Sequence, residues 1–251
     1  KEYVLILIAM RKYIKSSEWL TALLYYNYKY KEERSIDFLK KLEKKVINDF
    51  LDPESTRTKR EIEVIKLLED IEKSTSPDEA LNSQIINVGV NLERLKEKLS
   101  SPNLYDDYPN MAKYFFIRIE IQNKVERREI DSYEYYNLNY VTLEHIYPQT
   151  PENGSEWFKY FPNEEIRNKY LGRFGNLTIL GKRKNSALGR LEFKKKKEKY
   201  FFEKDKTPYY VTNMIDKYDI WTPNEIEDRE NKLLKELQKI YQWIFSKDGP
   251  I

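Results

Sequence analysis

The sequence predicts a mainly α-helical protein with a small strand–strand–helix core embedded among the helices. Three observations carry this expectation. Helical apolar stripes recur through residues 1–130. The texture then turns aromatic and β-branched, with turn residues between the runs. Finally, the stretch from 141 to 200 reads as strand, long connection, short strand and helix. The expected organisation is a helical region over 1–130, the strand–strand–helix core over 131–215, and a closing helix over 216–251 that packs on the core.

Each element has its own signal. "SSEWLTALLYYNYKY" offers a serine cap and a stripe of Trp19, Leu20, Leu23, Leu24 and Tyr28. "SIDFLKKLEKKVINDFL" repeats the pattern with Ile36, Leu39, Leu42, Val46 and Phe50, and "TKREIEVIKLLEDIEKS" with Ile62, Ile65, Leu68 and Ile71. The segment from Ser76 starts with Ser-Pro-Asp-Glu, a good helix N-terminus, although Gly89 weakens its middle. "YPNMAKYFFIRIEIQNKV" reads as a buried helix on the same bundle. "SYEYYNLNYVTLEHI" reads as loop then strand, Asn153-Gly154 and Phe161-Pro162-Asn163 as turns, "FGNLTILG" as a short strand, and "NSALGRLEFKKKKEKYFFEK" as a helix. The last helix has Thr222 as cap, Pro223 at its first position, and Ile226, Leu233, Leu237, Ile240 and Ile244 along one face.

Composition narrows the chemistry. With 251 residues the chain can hold one large domain or two modest ones. It has no cysteine and one histidine, which removes disulfides, Cys-based zinc sites and His-rich metal sites. A metal would need mainly oxygen ligands, which favours a hard ion such as Mg²⁺. No apolar run approaches the ~20 residues of a bilayer-spanning helix. The N-terminal "KEYVLILIAM" has no small-residue cleavage site after it and does not begin with Met, so a fragment or processed chain without a signal peptide is expected. A cysteine-free chain fits a reducing cytoplasm. Net charge is +3, but residues 141–210 carry 15 Lys and Arg against 9 Asp and Glu, a footprint that suits a polyanion.

The only histidine, His145, lies in that basic segment within "LEHIYPQT". A lone imidazole in an apolar strand is most often structural, so its neighbours decide the matter. Glu144 precedes it, Asn176 begins the second strand, and Asn185 opens the next helix. Hydrolysing a phosphodiester needs a base to activate water and a cation to offset charge on the phosphoryl oxygens. A neutral imidazole suits the first task. Glu and Asn oxygens, with water and phosphate completing the shell, are how Mg²⁺ is commonly held.

"EHIYPQ" followed by "GNLTILGKRKNSAL" resembles the HNH nucleases, whose core is a ββα-metal (His-Me finger) fold. It resembles more closely the C-terminal nuclease domain of the GmrSD-type restriction endonucleases, including the phosphorothioation-dependent SspE group. There a Glu-His-Ile-x-Pro motif precedes Gly-Asn-Leu-Thr-Ile/Leu-Leu, then an Asn, then a Phe and a Lys on the helix. The closing "IWTPNEIEDRENKLLKELQKIYQW" is similar to that family's Trp…Ile-x-x-Arg-x-x-x-Leu helix.

The resemblance implies a metal-dependent DNA endonuclease, nicking or cleaving, of a restriction or anti-phage system that acts on foreign or modified DNA. It implies His145 as general base, Glu144 and Asn185 as ligands of Mg²⁺ (Mn²⁺ being the alternative), and Asn176 as the residue that orients the loop or the imidazole. The segment 182–199 has nine Lys and Arg against two Glu. Its Lys182, Arg183, Lys184, Arg190, Lys194, Lys195, Lys196 and Lys197 are the expected DNA-backbone contacts. Such nucleases pair with an upstream nucleotide-hydrolysing domain that carries an Asp-Gly-Gln-Gln-Arg-like motif. No such motif and no Walker-type loop occurs here, so that domain or subunit is an expected partner. Two alternatives stay open: a non-catalytic nucleic-acid-binding or assembly module, and an HNH-type ribonuclease.

Overall fold

The computed structural model describes residues 1–130, 141–181, 189–201 and 207–242. The chain divides into two compact units, Lys1–Leu95 together with the chain from Gln238, and Lys96–Leu237. These do not follow the three successive segments read from the sequence. The helix expected to join the first bundle, α8 (Pro109–Glu126), lies in the second unit and packs against both strands.

The first unit is built from α1 (Glu2–Tyr13), α2 (Glu18–Tyr30), α3 (Ser35–Leu51), α4 (Arg57–Lys73) and α5 (Pro77–Leu81). Thr56 caps α4 by accepting from the Lys59 amide, and Ser76 caps α5 just before Pro77. The buried stripe of α3 contains the expected Leu39, Leu42 and Val46. Two other stripes are rotated from expectation. Helix α2 buries Trp19, Ala22, Leu23 and Tyr26 and leaves Leu24 and Tyr28 exposed. Helix α4 buries Val64, Leu67 and Ile71 and leaves Ile62 and Ile65 exposed. Polar ties set this roll. Arg60 pairs with Glu18 at 3.0 Å, and Lys29 Nζ donates to the carbonyls of Ile71, Glu72 and Ser74 where α4 ends. The long helix expected from Ser76 is two, because the chain leaves helical geometry between α5 and α6 (Leu92–Leu99), around Gly89.

In the second unit, α7 (Leu104–Asp107) and α8 precede β1 (Val141–His145). A long connection carries α9 (Trp157–Tyr160) and α10 (Glu164–Leu171), the latter capped by Asn163 on the Ile166 amide. A 3₁₀ turn (Phe174–Asn176) leads into β2 (Leu177–Gly181), then come α11 (Phe193–Phe201), α12 (Tyr210–Asn213) and α13 (Pro223–Gln242). The strands pair antiparallel, with Glu144 opposite Thr178 and His145 opposite Leu177. Two strands alone are marginal in water. Here Ile146, Tyr147, Trp157, Phe161, Leu180, Phe193, Trp221 and Ile226 form one apolar core around them. Helix α13 opens as its sequence predicts. Pro223 is its first residue, and Glu225 reaches back to the Thr222 amide and hydroxyl.

Helix α13 comes so close to the 3₁₀ turn that a Cβ on Gly175 would sit 2.2 Å from the Ile226 carbonyl oxygen and 2.9 Å from Glu230 Cβ. Both obstacles are rigid. Gly175→Ala should therefore destabilise the chain by roughly 1–3 kcal/mol, the usual effect of overpacking. Gly181→Ala, where nothing lies within 4 Å of the added carbon, is the control. Thermal melts of the two variants check this, and equal midpoints would refute the close approach.

Candidate active site at the end of strand β1

The site is assembled where β1 stops. After His145 the pairing continues by one bond, as the Ile146 amide donates to the Asn176 carbonyl at 2.9 Å. The Asn176 side chain then takes over. Its Oδ1 accepts from the Tyr147 amide (2.8 Å) and from Trp221 Nε1 (3.0 Å). Its Nδ2 donates to the carbonyls of Tyr147 (3.1 Å) and Leu171 (2.9 Å). An asparagine amide has two donors and two favourable acceptor positions, and all four are used in a fully buried setting. Of the two roles expected for Asn176, orienting the loop is the one its bonds perform. Every polar atom of its side chain is thus engaged with the protein, none of it with the imidazole.

His145 and Glu144 are both buried, at 7% and 6% exposure. The Tyr105 ring from α7 packs on the imidazole, 4.2 Å between centroids and tilted by 53°. Sequence reasoning missed Tyr105, because it is 40 positions away and in no motif. Imidazole Nε2 is buried with no hydrogen-bond partner among the described residues. Burial first, and the nearby Lys196 charge second, lower the imidazole pKa to about 4. The ring is therefore neutral at pH 7 and able to accept a proton.

The cation beside this pair is Lys196, from α11. Its ammonium donates to Glu144 Oε1 at 2.7 Å and to the His145 carbonyl at 2.6 Å, and the residue is wholly buried. Burial pushes the Glu144 carboxyl up while the ammonium opposes that, and burial likewise lowers the Lys196 pKa. Lys196 was expected on the DNA backbone. An ammonium with no solvent exposure and two charge-assisted bonds cannot reach a phosphate from there, so that expectation is corrected. A signal was present in the sequence. Lys196 follows Phe193 by three positions, which places it on the buried face of a helix.

The other expected contacts divide. Arg190, Lys194 and Lys195 are exposed. Lys197 is partly buried, its Nζ donating to the Asp216 and Tyr218 carbonyls at 2.6 and 2.7 Å. Lys182, Arg183, Lys184 and Asn185 lie outside the described residues. The helix expected to open at Asn185 begins, as described, at Phe193.

Fit to a divalent ion can be judged from these donors. Among the described residues no group of three His, Asp or Glu converges. The one carboxylate beside His145 is already engaged by a buried ammonium, and a divalent ion on Glu144 would sit against that positive charge. The described donors alone therefore do not fit a divalent-metal site.

The family described as "GmrSD restriction endonucleases, C-terminal domain" matches residues 90–236, more than half of the chain. The chain belongs to this family. No curated protein and no solved structure matches it. In this GmrSD-family chain the matched segment contains β1, β2, α11 and the larger part of α13, the elements that position His145.

Asn176→Ala would strand two buried donors and two carbonyls at roughly 1–3 kcal/mol for each unsatisfied group. We expect a loss on the order of 3–5 kcal/mol after partial relaxation, seen as a melting point lowered by roughly 10 °C or more. An unchanged melting curve with lost nuclease activity would place Asn176 in the chemistry instead.

Proposed function

We propose that this chain is the DNA-cutting part of a restriction or anti-phage system, with His145 as the general base of phosphodiester hydrolysis. The observation that carries the reading is the state of the only imidazole. It ends a strand inside the family-matched segment, it is neutral at pH 7, and Nε2 has no protein partner among the described residues. Such a buried atom keeps its acceptor lone pair free for the proton of a water admitted against it. A base whose pKa is near 4 is a modest one by Brønsted reasoning, but it is never lost to protonation at neutral pH.

DNA, foreign or modified, is the substrate in this reading, acted on in the cytoplasm. Among the described residues no helix is long and apolar enough to cross a membrane. Exposed Arg190, Lys194 and Lys195 are the phosphate contacts, joined by Lys182, Arg183 and Lys184. Backbone contacts position DNA without reading its sequence, so recognition of a modification falls to a separate nucleotide-hydrolysing domain or subunit. Metal dependence, on Mg²⁺ or Mn²⁺ with Glu144 and Asn185 as ligands, rests on the family resemblance. The described donors do not supply that site by themselves.

His145→Ala should lower plasmid cleavage by ~10²–10⁴ in a chain that still folds, with a lower melting point from the cavity left under Tyr105. Activity within a few-fold of the parent would remove the base assignment. The same assay with Mg²⁺, Mn²⁺ or chelator, and with RNA in place of plasmid, tests the metal and the substrate. Cleavage of plasmid that stops in chelator is the expected result.

Binding supplies an independent check. Each phosphate contact contributes about 0.9 to the slope of log affinity against log salt. Replacing Lys194 and Lys195 together with Gln should flatten the slope by about one to two units and weaken all sequences alike. DNA titrations in chelator at several salt concentrations measure this. A slope that does not move would take these lysines out of the interface.

A further inference from the structure

We infer that Lys196 is a positioning residue that holds Glu144 and the His145 backbone in the geometry from which the imidazole projects, and that helix periodicity splits the four-lysine run into two functions. The consequence for cleavage rests on the nuclease reading above.

Phe193 is locked in the aromatic core, stacked on Trp221 at 5.3 Å and edge-on to Trp157 at 6.5 Å. That contact fixes the roll of α11, so the residue three positions later must face β1. Lys196 does so, and its single ammonium bonds both the side chain of Glu144 and the main chain of His145. It therefore ties two consecutive strand residues, one through its carboxylate and one through its carbonyl, to a helix from a distant part of the chain. Burying a lysine completely is costly unless it is paired, and removing one partner leaves the other charge stranded. A lysine kept to attract DNA would gain nothing from such a position. Lys194 and Lys195, on the outer face, are placed for that task.

His145 is the only histidine, so its imidazole gives a single set of nitrogen resonances in the full chain. That signal reports on the site without any cleavage. Lys196→Met keeps the unbranched shape of the side chain up to the ε position and removes the ammonium. It should shift the imidazole resonances and reduce kcat by ~10²-fold, the effect of a displaced catalytic group. KM and the salt dependence of DNA binding in chelator should stay within about twofold. Replacing Lys194 and Lys195 with Gln should do the reverse, raising KM and flattening the salt slope while the imidazole signal stays in place.

A folded Lys196→Met chain with an unmoved imidazole signal and unchanged kcat would overturn the inference, and so would a rise in KM like that of the outer lysines. Should Lys196→Met not fold, Lys196→Met/Glu144→Gln removes both buried charges. Compared with Glu144→Gln alone, in which Lys196 still holds the His145 carbonyl, the double variant should show a further shift of the imidazole signal. No further shift would overturn the inference. If the parent chain cuts no nucleic acid, the nuclease reading fails, and the imidazole signal still decides whether Lys196 positions His145.

Discussion

Four hydrogen bonds from one amide hold the second unit's site together. Asn176 joins its own turn to the segment after β1, the end of α10 and Trp221 on the approach to α13, and it does so with every polar atom of its side chain satisfied. In a buried setting such bonds are strong and an unmade one is costly, so the four segments have one compatible arrangement. Helix α13 reinforces the same turn from outside. Arg229 donates to the carbonyls of Gly175 and Leu177, and to Val211 across from them. Glu230, next to it, accepts from the Gly175 amide and pairs with Arg173 and Ser100. The absence of a side chain at Gly175 allows the helix to approach closely enough to make these bonds. The family-like Trp221, Ile226 and Arg229 of the closing helix thus act on the loop that follows His145.

Two of this unit's fully buried cations, Arg229 and Lys196, differ in purpose. Arg229 uses its planar fork to gather carbonyls from two chain segments, which a point charge could not do as well. Lys196 places one compact charge between a carboxylate and a carbonyl. Buried pairs of this kind rarely add net stability over apolar packing; what they specify is register. The pairing also has an electrostatic result. Glu144 is neutralised internally and the imidazole is neutral, so the strand end itself offers little attraction to a phosphate. In the nuclease reading proposed above, long-range attraction for DNA would fall to exposed basic residues, in keeping with the charge asymmetry of residues 141–210.

Much of this was legible in the sequence, for reasons that can be stated residue by residue. Both strands, the capping box at Thr222 and the helices at Ser35 and Pro109 have local signals strong enough to fix them. The buried faces of α2 and α4 were not legible, since Leu24 and Tyr28 fit a helical stripe as well as Ala22 and Tyr26 do. The choice was made by Lys29 and Arg60, whose partners are over 40 positions away. Within the candidate site, the resemblance singled out His145, Glu144 and Asn176, and the structure places all three at the end of β1. The motif could not reveal that Asn176 spends all its bonds on tying Tyr147, Leu171 and Trp221 together, or that Tyr105 packs on the imidazole. A run of four lysines reads as one charged surface until periodicity is imposed from Phe193, and only then does Lys196 fall inward.

The extent of the family match and the division of the chain were reached independently, and they nearly coincide. The match covers 90–236 and the second compact unit covers Lys96–Leu237. A two-stranded sheet of five residues per strand is marginal alone, so the site needs α8, α11 and α13 for its core; α8 and α11 fall within the matched span, as does the first part of α13. The smallest piece of this chain with a physical reason to build the His145 site is thus the second unit, not the strand–strand–helix segment by itself. That explains why residues as remote in sequence as Tyr105 and Arg229 bear on the same strand end.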